Sequence, residues 1–479
     1  MLSPLADVVE IVQFAGELSV LIADPKAGSF RVVTMRQRSE PARSVKIQRF
    51  WRLLVKLPYQ ISAVLLVLLA LTSASVQAGD WPRFRGPNAD SISTEGPIPA
   101  KWDLSTNLKW KADLPGKGSS SPIVLGDRIF VTCYSGYGKT NGGDDADLAR
   151  HLVCVDKPSG KVAWTKTVKN DAREDRYQGF ITEHGYASST PVTDGERVFA
   201  FFGKSGVYAY DLEGNKLWNV SVGTNSSNRR WGSAASLIVH GDSVIVNASD
   251  EGRAVIALDR KTGKENWKTE ADLLELAYGT PNLVKSGDRE LLVLAVPQEV
   301  WALNPANGKL AWYCETQLPG NVSPSVNFAD GMIYVTGGYP ATASVAFKAE
   351  GKGDITSNIA WKKRDASYVA SPVLHEGHLY WINDKGIAFC MNAETGETVY
   401  KERLVGGGGR PVYASPVLCD GKLFVPSRWE GVFVLDAKPE FKLLAQNKFE
   451  GDDSDFNGTP AISGKQMFLR SDKALYCIE

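Results

Sequence analysis

Several groups of residues have the types and spacing to do chemistry. Glu183 and His184 are adjacent and form a candidate acid–base pair, although sequence neighbours often point apart. Arg229, Arg230 and Trp231 could stack on or pair with an anionic ligand, or pack as an indole flanked by solvated arginines. Asp144, Asp145 and Asp147 offer three carboxylates in four positions as candidate Ca²⁺ ligands. Their spacing matches no EF-hand, and a solvated acidic loop is the alternative. Gly406–Gly409 is a glycine run with no Gly-Lys-Ser/Thr after it, so it is not a phosphate loop. The cysteines are Cys133, Cys154, Cys314, Cys390, Cys419 and Cys477, with no two adjacent. Most sit in strand-like runs such as IFVTCY and IAFCMN, which reads as buried thiols acting as small hydrophobes. Cys133 and Cys154 fall on successive strands and are the best-placed pair for a disulfide if the protein is exported.

These groups need a scaffold, and composition bounds what it can be. The chain has 479 residues, 43% hydrophobic and 23% charged, enough apolar material to exclude intrinsic disorder. Its 54 basic and 54 acidic side chains exclude a general nucleic-acid binder, which carries a basic excess. Forty-five Gly and thirteen Trp point to many short strands joined by tight turns.

The N-terminal region reads as a targeting segment. The apolar stretch Ile61–Leu71 has 11 residues, against the roughly 20 a spanning helix needs. Arg36, Arg38, Arg43, Lys46, Arg49, Arg52 and Lys56 precede it, and Val76-Gln77-Ala78 supplies small residues for a peptidase. The expectation is a signal peptide over 35–78, translation from Met35, and residues 1–34 as an extension of the reading frame. An uncleaved anchor is the alternative. No Cys follows the cleavage position, which argues against a lipoprotein. Residues 79–479 carry 45 basic and 49 acidic side chains, a surface with no pull on nucleic acid or anionic lipid.

From residue 119 the chain repeats. Ser121-Pro122, Thr190-Pro191, Thr280-Pro281, Ser323-Pro324, Ser371-Pro372, Ser415-Pro416 and Thr459-Pro460 each open a short strand, and one repeat has Ala235-Ser236 instead. From Pro281 onward the spacings are 43, 48, 44 and 44, while Pro122 to Pro191 is 69, so the first repeat carries insertions. A Gly-centred turn and an apolar strand follow each anchor, as in LGDRIFVT and DGKLFVPS, where alternation predicts two unlike faces. A third signal is Asp156, Gly160 and Trp164, repeated as Asp259, Gly263 and Trp267, and as Asn304, Gly308 and Trp312. Asp or Asn opens the turn, Gly takes positive φ, and the aromatic lands on the outermost strand, where it can wedge against the next unit. A period near 45 with four strands per unit predicts an all-β, eight-bladed β-propeller, with seven blades the alternative. The last repeat stops at Glu479 after its third strand, so residues 108–113 are expected to complete that blade and close the ring. The expected organisation is a lead-in over 79–107 and a propeller over 108–479.

The Ser-Pro anchor with Asp-x-x-x-Gly-x-x-x-Trp resembles the pyrroloquinoline-quinone (PQQ) repeat over 108–479. That family includes quinoprotein alcohol dehydrogenases and non-catalytic, BamB-like propellers. The lead-in Asp80-Trp81-Pro82-Arg83-Phe84-Arg85-Gly86-Pro87 also resembles a segment preceding many secreted bacterial PQQ-like propellers. The dehydrogenases sandwich the quinone between a Trp and a disulfide of adjacent cysteines and hold Ca²⁺ beside it. Adjacent cysteines are missing here, so the family's catalytic residues do not transfer.

Loops entering the innermost strands lie at the mouth of a propeller's central channel. They carry Glu183, His184, Arg230, Trp231, Tyr278, Asn321, Tyr368, Arg410, Tyr413 and Asn457, candidate ligand-binding residues with no catalytic assignment. Packing between blades is the other use for such aromatics. The charged insertion 170–187 is the expected contact region. The leading reading is a monomeric periplasmic or extracellular binding scaffold for a protein or small-molecule ligand, with no nucleic-acid partner. The alternatives are a PQQ- and Ca²⁺-dependent oxidoreductase with an atypical site, and an envelope- or polysaccharide-binding module.

Overall fold

The computed structural model describes residues 11–14, 17–24, 29–35, 79–138, 143–406 and 408–479. It divides into two compact units, Met1–Ser73 and Ala74–Glu479. In the first, Ile11–Phe14, Glu17–Asp24 and Ser29–Met35 form a three-stranded antiparallel sheet. The apolar stretch of the expected signal segment and its cleavage position lie outside the described residues. Among the described residues, no helix is long and apolar enough to cross a membrane.

The second unit is an eight-bladed propeller of antiparallel blades. Blade one comprises Ile123–Leu125, Arg128–Ser135, Ala149–Asp156 and Val162–Lys169, from the channel outward. Blade eight comprises Ala461–Ser463, Gln466–Arg470 and Ala474–Ile478, and its outermost strand is Leu108–Asp113 from the other end of the chain. The expected closure by residues 108–113 is therefore present. It removes the free edge that an open ring would expose.

One sequence expectation about the strands changes. The second strand of each blade was expected to have a polar face, yet Arg128–Ser135 is buried through its whole interior. Neighbouring blades cover both of its faces. Alternation belongs instead to the outermost strands, such as Lys216–Val220, where Trp218 is buried between exposed neighbours.

The blades are locked by an indole set on a glycine. Trp110 donates its ring N–H to the Lys157 carbonyl at 2.9 Å. A Cβ on Gly160 would fall 2.5 Å from that indole, and Gly160 holds φ +72°. Trp164, Trp218, Trp267 and Trp361 make the same bond to Leu212, Arg260, Pro305 and Ala393. In each case the acceptor directly follows the Asp or Asn that opens the turn. Burying one such ring is worth roughly 4–6 kcal/mol before entropy is counted.

Around the channel, backbone N–H groups donate to hydroxyls of the next blade. The chain of bonds runs Ser121 to Thr190, Thr190 to Ser236, Ser236 to Thr280, then Ser325 to Ser371, Ser371 to Ser415, Ser415 to Thr459 and Thr459 to Ser121. Distances are 2.9–3.1 Å. Blade five enters this ring through Ser325, not through the Ser323-Pro324 pair of the sequence repeat. Its innermost strand, Asn327–Ala329, begins two residues after Ser325, as Val373–His375 does after Ser371. With Ser325 as the anchor, the uneven spacings of 43 and 48 become 45 and 46. The ring has one gap, between blades four and five. Ser325 Oγ is buried without a partner there, and backbone bonds from Tyr278 to Val322 and from Val322 to Leu276 join the blades instead.

All six cysteines are buried and free. Cys133 sits opposite His151, and Cys154 opposite Phe130, so the expected disulfide partners are three rungs apart. An odd offset places them on opposite faces of the blade, and no bond can join them.

Gly308 tests the lock. It holds φ +70°, and a Cβ there would meet the Trp267 ring at 2.5 Å, whereas Gly241, at φ +53°, has open space around it. Gly308→Ala should cost about 2–5 kcal/mol in urea unfolding, and Gly241→Ala only about 1. Equal costs would show that left-handed strain alone, and not the indole, makes the glycine necessary.

Candidate functional site

The central channel holds a half-open cavity of about 150 Å³. The lead-in segment closes the lower end. Trp81 exchanges backbone bonds with Val124 of blade one, and Pro82 accepts from Thr193 of blade two. The Arg85 guanidinium donates to Asn327 Oδ1 at 2.6 Å and to the Pro372 carbonyl at 2.8 Å, tying blades five and six. Ile92–Ser93 pairs in parallel with Leu418–Cys419 of blade seven. One short segment thus touches five blades and sets Phe84 into the cavity. The wall carries the ring hydroxyls, including Ser121, Thr190, Ser236, Thr280, Ser371, Ser415 and Thr459.

The insertion 170–187 covers part of the mouth with Phe180 and His184. Its short helix, Ile181–His184, ends at Gly185. The ring of Phe180, the residue before it, lies 4.8 Å from Trp231, 5.9 Å from Tyr413 and 6.1 Å from Tyr368. The Arg410 guanidinium stands 5.3 Å from the Phe180 and Tyr368 centroids and 5.4 Å from that of Tyr339. Several blades hold this lid. Arg428 pairs with Glu183 and with Asp455, Asn457 donates to the Glu183 carbonyl at 3.0 Å, and Ser119 donates to the His184 carbonyl at 3.0 Å.

Seven of the ten residues expected at the mouth line this cavity: His184, Trp231, Tyr278, Asn321, Tyr368, Tyr413 and Asn457. The other three do not. Glu183 is taken up by Arg428. Arg410 stacks above the rings. Arg230 is exposed, with φ +54°, and lines a separate polar groove. The Arg230–Trp231 pair therefore splits, since consecutive residues point to different sides. Arg229 stays with Trp231, 5.6 Å over its ring.

His184 and Glu183 do not form the acid–base pair that adjacency allowed. His184 Nε2 lies 2.9 Å from the Trp231 carbonyl and Nδ1 lies 2.6 Å from Ser188 Oγ. A carbonyl only accepts, so Nε2 carries the proton and Nδ1 accepts from Ser188. Burial pushes the imidazole pKa down to about 4, with the Trp231 carbonyl and Glu183 opposing that shift. His184 is thus a neutral strut between the lid and the Trp231 loop.

The acidic triplet serves its own turn. Asp144 and Asp147 cap the 3₁₀ turn Asp145–Asp147 reciprocally, and Asp145 accepts from the Glu174 backbone at 3.2 Å. Backbone N–H groups thus engage one oxygen of each carboxylate. Among the described residues, no three His, Cys, Asp or Glu side chains converge on a metal position. The residues also do not fit a quinone held between a Trp and vicinal cysteines. The cysteines are dispersed within strands, and Phe180 covers Trp231.

Phe84 and Phe180 were not among the expected site residues. Phe84 had a signal, since it is the apolar residue between Arg83 and Arg85 in a lead-in with no repeat of its own.

Comparison with known proteins agrees with the fold. The family model described as "Outer membrane protein assembly factor BamB" matches residues 110–273 and 253–351. No curated protein matches the chain in sequence. The crystal structure of BamB from Moraxella catarrhalis is similar, with a TM-score of 0.54 and 13% identity over 78% of this chain and 99% of that one. The computationally designed Ika8 protein gives a TM-score of 0.50 and 10% identity over 77% and 99%. At such identities the likeness extends to the fold alone.

The buried imidazole has a measurable consequence. An unfolded His protonates near pH 6.5, whereas folded His184 resists until about pH 4. Its contribution is complete above pH 6.5 and is lost as pH falls through 4, up to about 3 kcal/mol. His184→Gln should flatten the acid limb of stability against pH, read by urea unfolding from pH 4 to 7. Parallel limbs for the two proteins would refute the neutral strut.

Proposed function

We propose, on the premise that the chain belongs to the PQQ-like propeller family whose model is described as outer membrane protein assembly factor BamB, that it is an exported binding scaffold with a small-ligand site in its central channel. The family description and the expected signal segment together support a periplasmic or envelope setting.

The observation that carries the reading is the half-open 150 Å³ cavity, lined by aromatic rings at its mouth and by hydroxyls around the channel. A cavity of that size accepts a benzene-sized molecule. The ring hydroxyls accept N–H bonds from the preceding blade, which leaves their O–H hydrogens for an acceptor inside. A small ring compound bearing one or two oxygens meets both requirements, its face against Phe180 and Trp231 and its oxygen toward Ser371 and Ser415. The Phe180 lid, held through Arg428 and Asn457, would exclude water once the ligand is in.

Phenol and benzene, titrated separately into the purified protein, test this by thermal unfolding and NMR. Phenol should raise the midpoint saturably, and Ser371→Ala with Ser415→Ala should weaken phenol about tenfold while sparing benzene. Phe180→Ala should admit larger rings. The reading fails if neither compound binds the parent protein or the Phe180 variant. Saturable, Ca²⁺-dependent binding of PQQ in the same assay would restore the quinoprotein alternative.

A further inference from the structure

A second pocket lies under the same insertion, outside the central cavity, and the reading above makes no use of it. It has a volume of about 30 Å³, room for one or two water-sized groups. Asp250 and Glu251, in the turn between the second and third strands of blade three, form one wall and are 3% and 2% exposed. Glu174 and Asp175 come from the insertion, Arg150 from blade one and Lys204 from blade two.

The charges do not balance. Arg150 is matched by Glu174 at 2.5 Å and Lys204 by Asp175 at 3.1 Å. Asp250 and Glu251 are left over. Ser227 donates to Asp250 Oδ2 at 3.0 Å, and Ser233 donates to Glu251 Oε1. Their second oxygens, Asp250 Oδ1 and Glu251 Oε2, are sealed from solvent with no donor. Burying carboxylate oxygens without a donor is costly, and native proteins rarely leave two side by side. The pocket shares Glu174, Asp175 and Lys204 with an open polar groove of about 840 Å³.

We propose that the Asp250–Glu251 pocket binds one primary ammonium group, whose attached chain runs out along the polar groove. An ammonium is the size of a water and brings a positive charge with three N–H donors. A metal ion fits less well, because no three acidic, His or Cys side chains converge among the described residues. A guanidinium is too large for the space.

The surroundings hold both acids neutral near pH 6. Burial pushes Asp250 up to about 7, with Asp175 and Glu275 adding to the rise and Ser227 and Lys204 opposing it. Burial likewise pushes Glu251 up to about 8, with Asp250 and Glu174 adding and Lys204 opposing. Tyr278 and Tyr186, whose own ionisation burial suppresses, are further titratable neighbours. Ammonium binding below these values therefore releases protons.

The test uses n-butylammonium, tetramethylammonium and Ca²⁺ chlorides with the purified protein, at matched ionic strength and at pH 6.5 and 8.5. Butylammonium should bind at least about tenfold more tightly at pH 8.5 and should release protons at pH 6.5, read by calorimetry in buffers of differing ionisation enthalpy. Tetramethylammonium, which has no N–H, should not bind. Asp250→Asn and Glu251→Gln, near-isosteric changes, should each weaken butylammonium about tenfold. Stabilisation by Ca²⁺ alone would overturn the ammonium assignment in favour of a metal. Equal effects of all three salts, or none, would overturn the site itself. Should a variant fail to fold, proton release by the parent protein decides. The outcome is independent of phenol binding in the central cavity.

Discussion

An indole resting on a glycine holds each of five blade junctions, and the rest of the propeller follows from it. The ring can lie flat on the next blade's turn only where that turn has no Cβ and takes positive φ, as Gly160 and Gly308 do. The indole N–H needs an acceptor just there, and the carbonyl after the turn-opening Asp or Asn supplies it. Each turn receives the Trp of the preceding blade and leads to the Trp that meets the next turn, so the sequence triplet links two successive contacts. The junctions without it use other contacts. Trp312 packs edge-on to Phe347, and Tyr400 packs against Phe441.

This coupling of spacing to contact explains why so much of the fold was legible in the sequence. The Trp turn could be counted, and the unfinished last repeat required a partner for its third strand, which Leu108–Asp113 provides. The error at blade five has the same origin. Proline made Ser323-Pro324 look like the anchor, but the ring contact needs only a hydroxyl at the right height, and Ser325 supplies it without a following proline. The cysteine pair was misjudged for want of register, since sequence places two residues on neighbouring strands without saying which rung each occupies.

The site was half legible. Loops before the innermost strands must surround the channel, so Trp231, Tyr278, Tyr368 and Tyr413 could be named from position alone. Phe180 and Phe84 could not, because no repeat fixes where an insertion or a lead-in folds. The buried acids Asp250 and Glu251 lie in a turn of ordinary composition, and nothing local marks them as sealed. Their burial comes from the insertion, which is contributed from a different blade.

That insertion gives the molecule its asymmetry. It is the main reason the first repeat spans 69 residues while the others stay near 45. It sends Phe180 and His184 toward the channel and Glu174 and Asp175 toward the acidic pocket. The repeats make the ring, and among the described residues the insertion is a segment outside the repeat that lines both pockets.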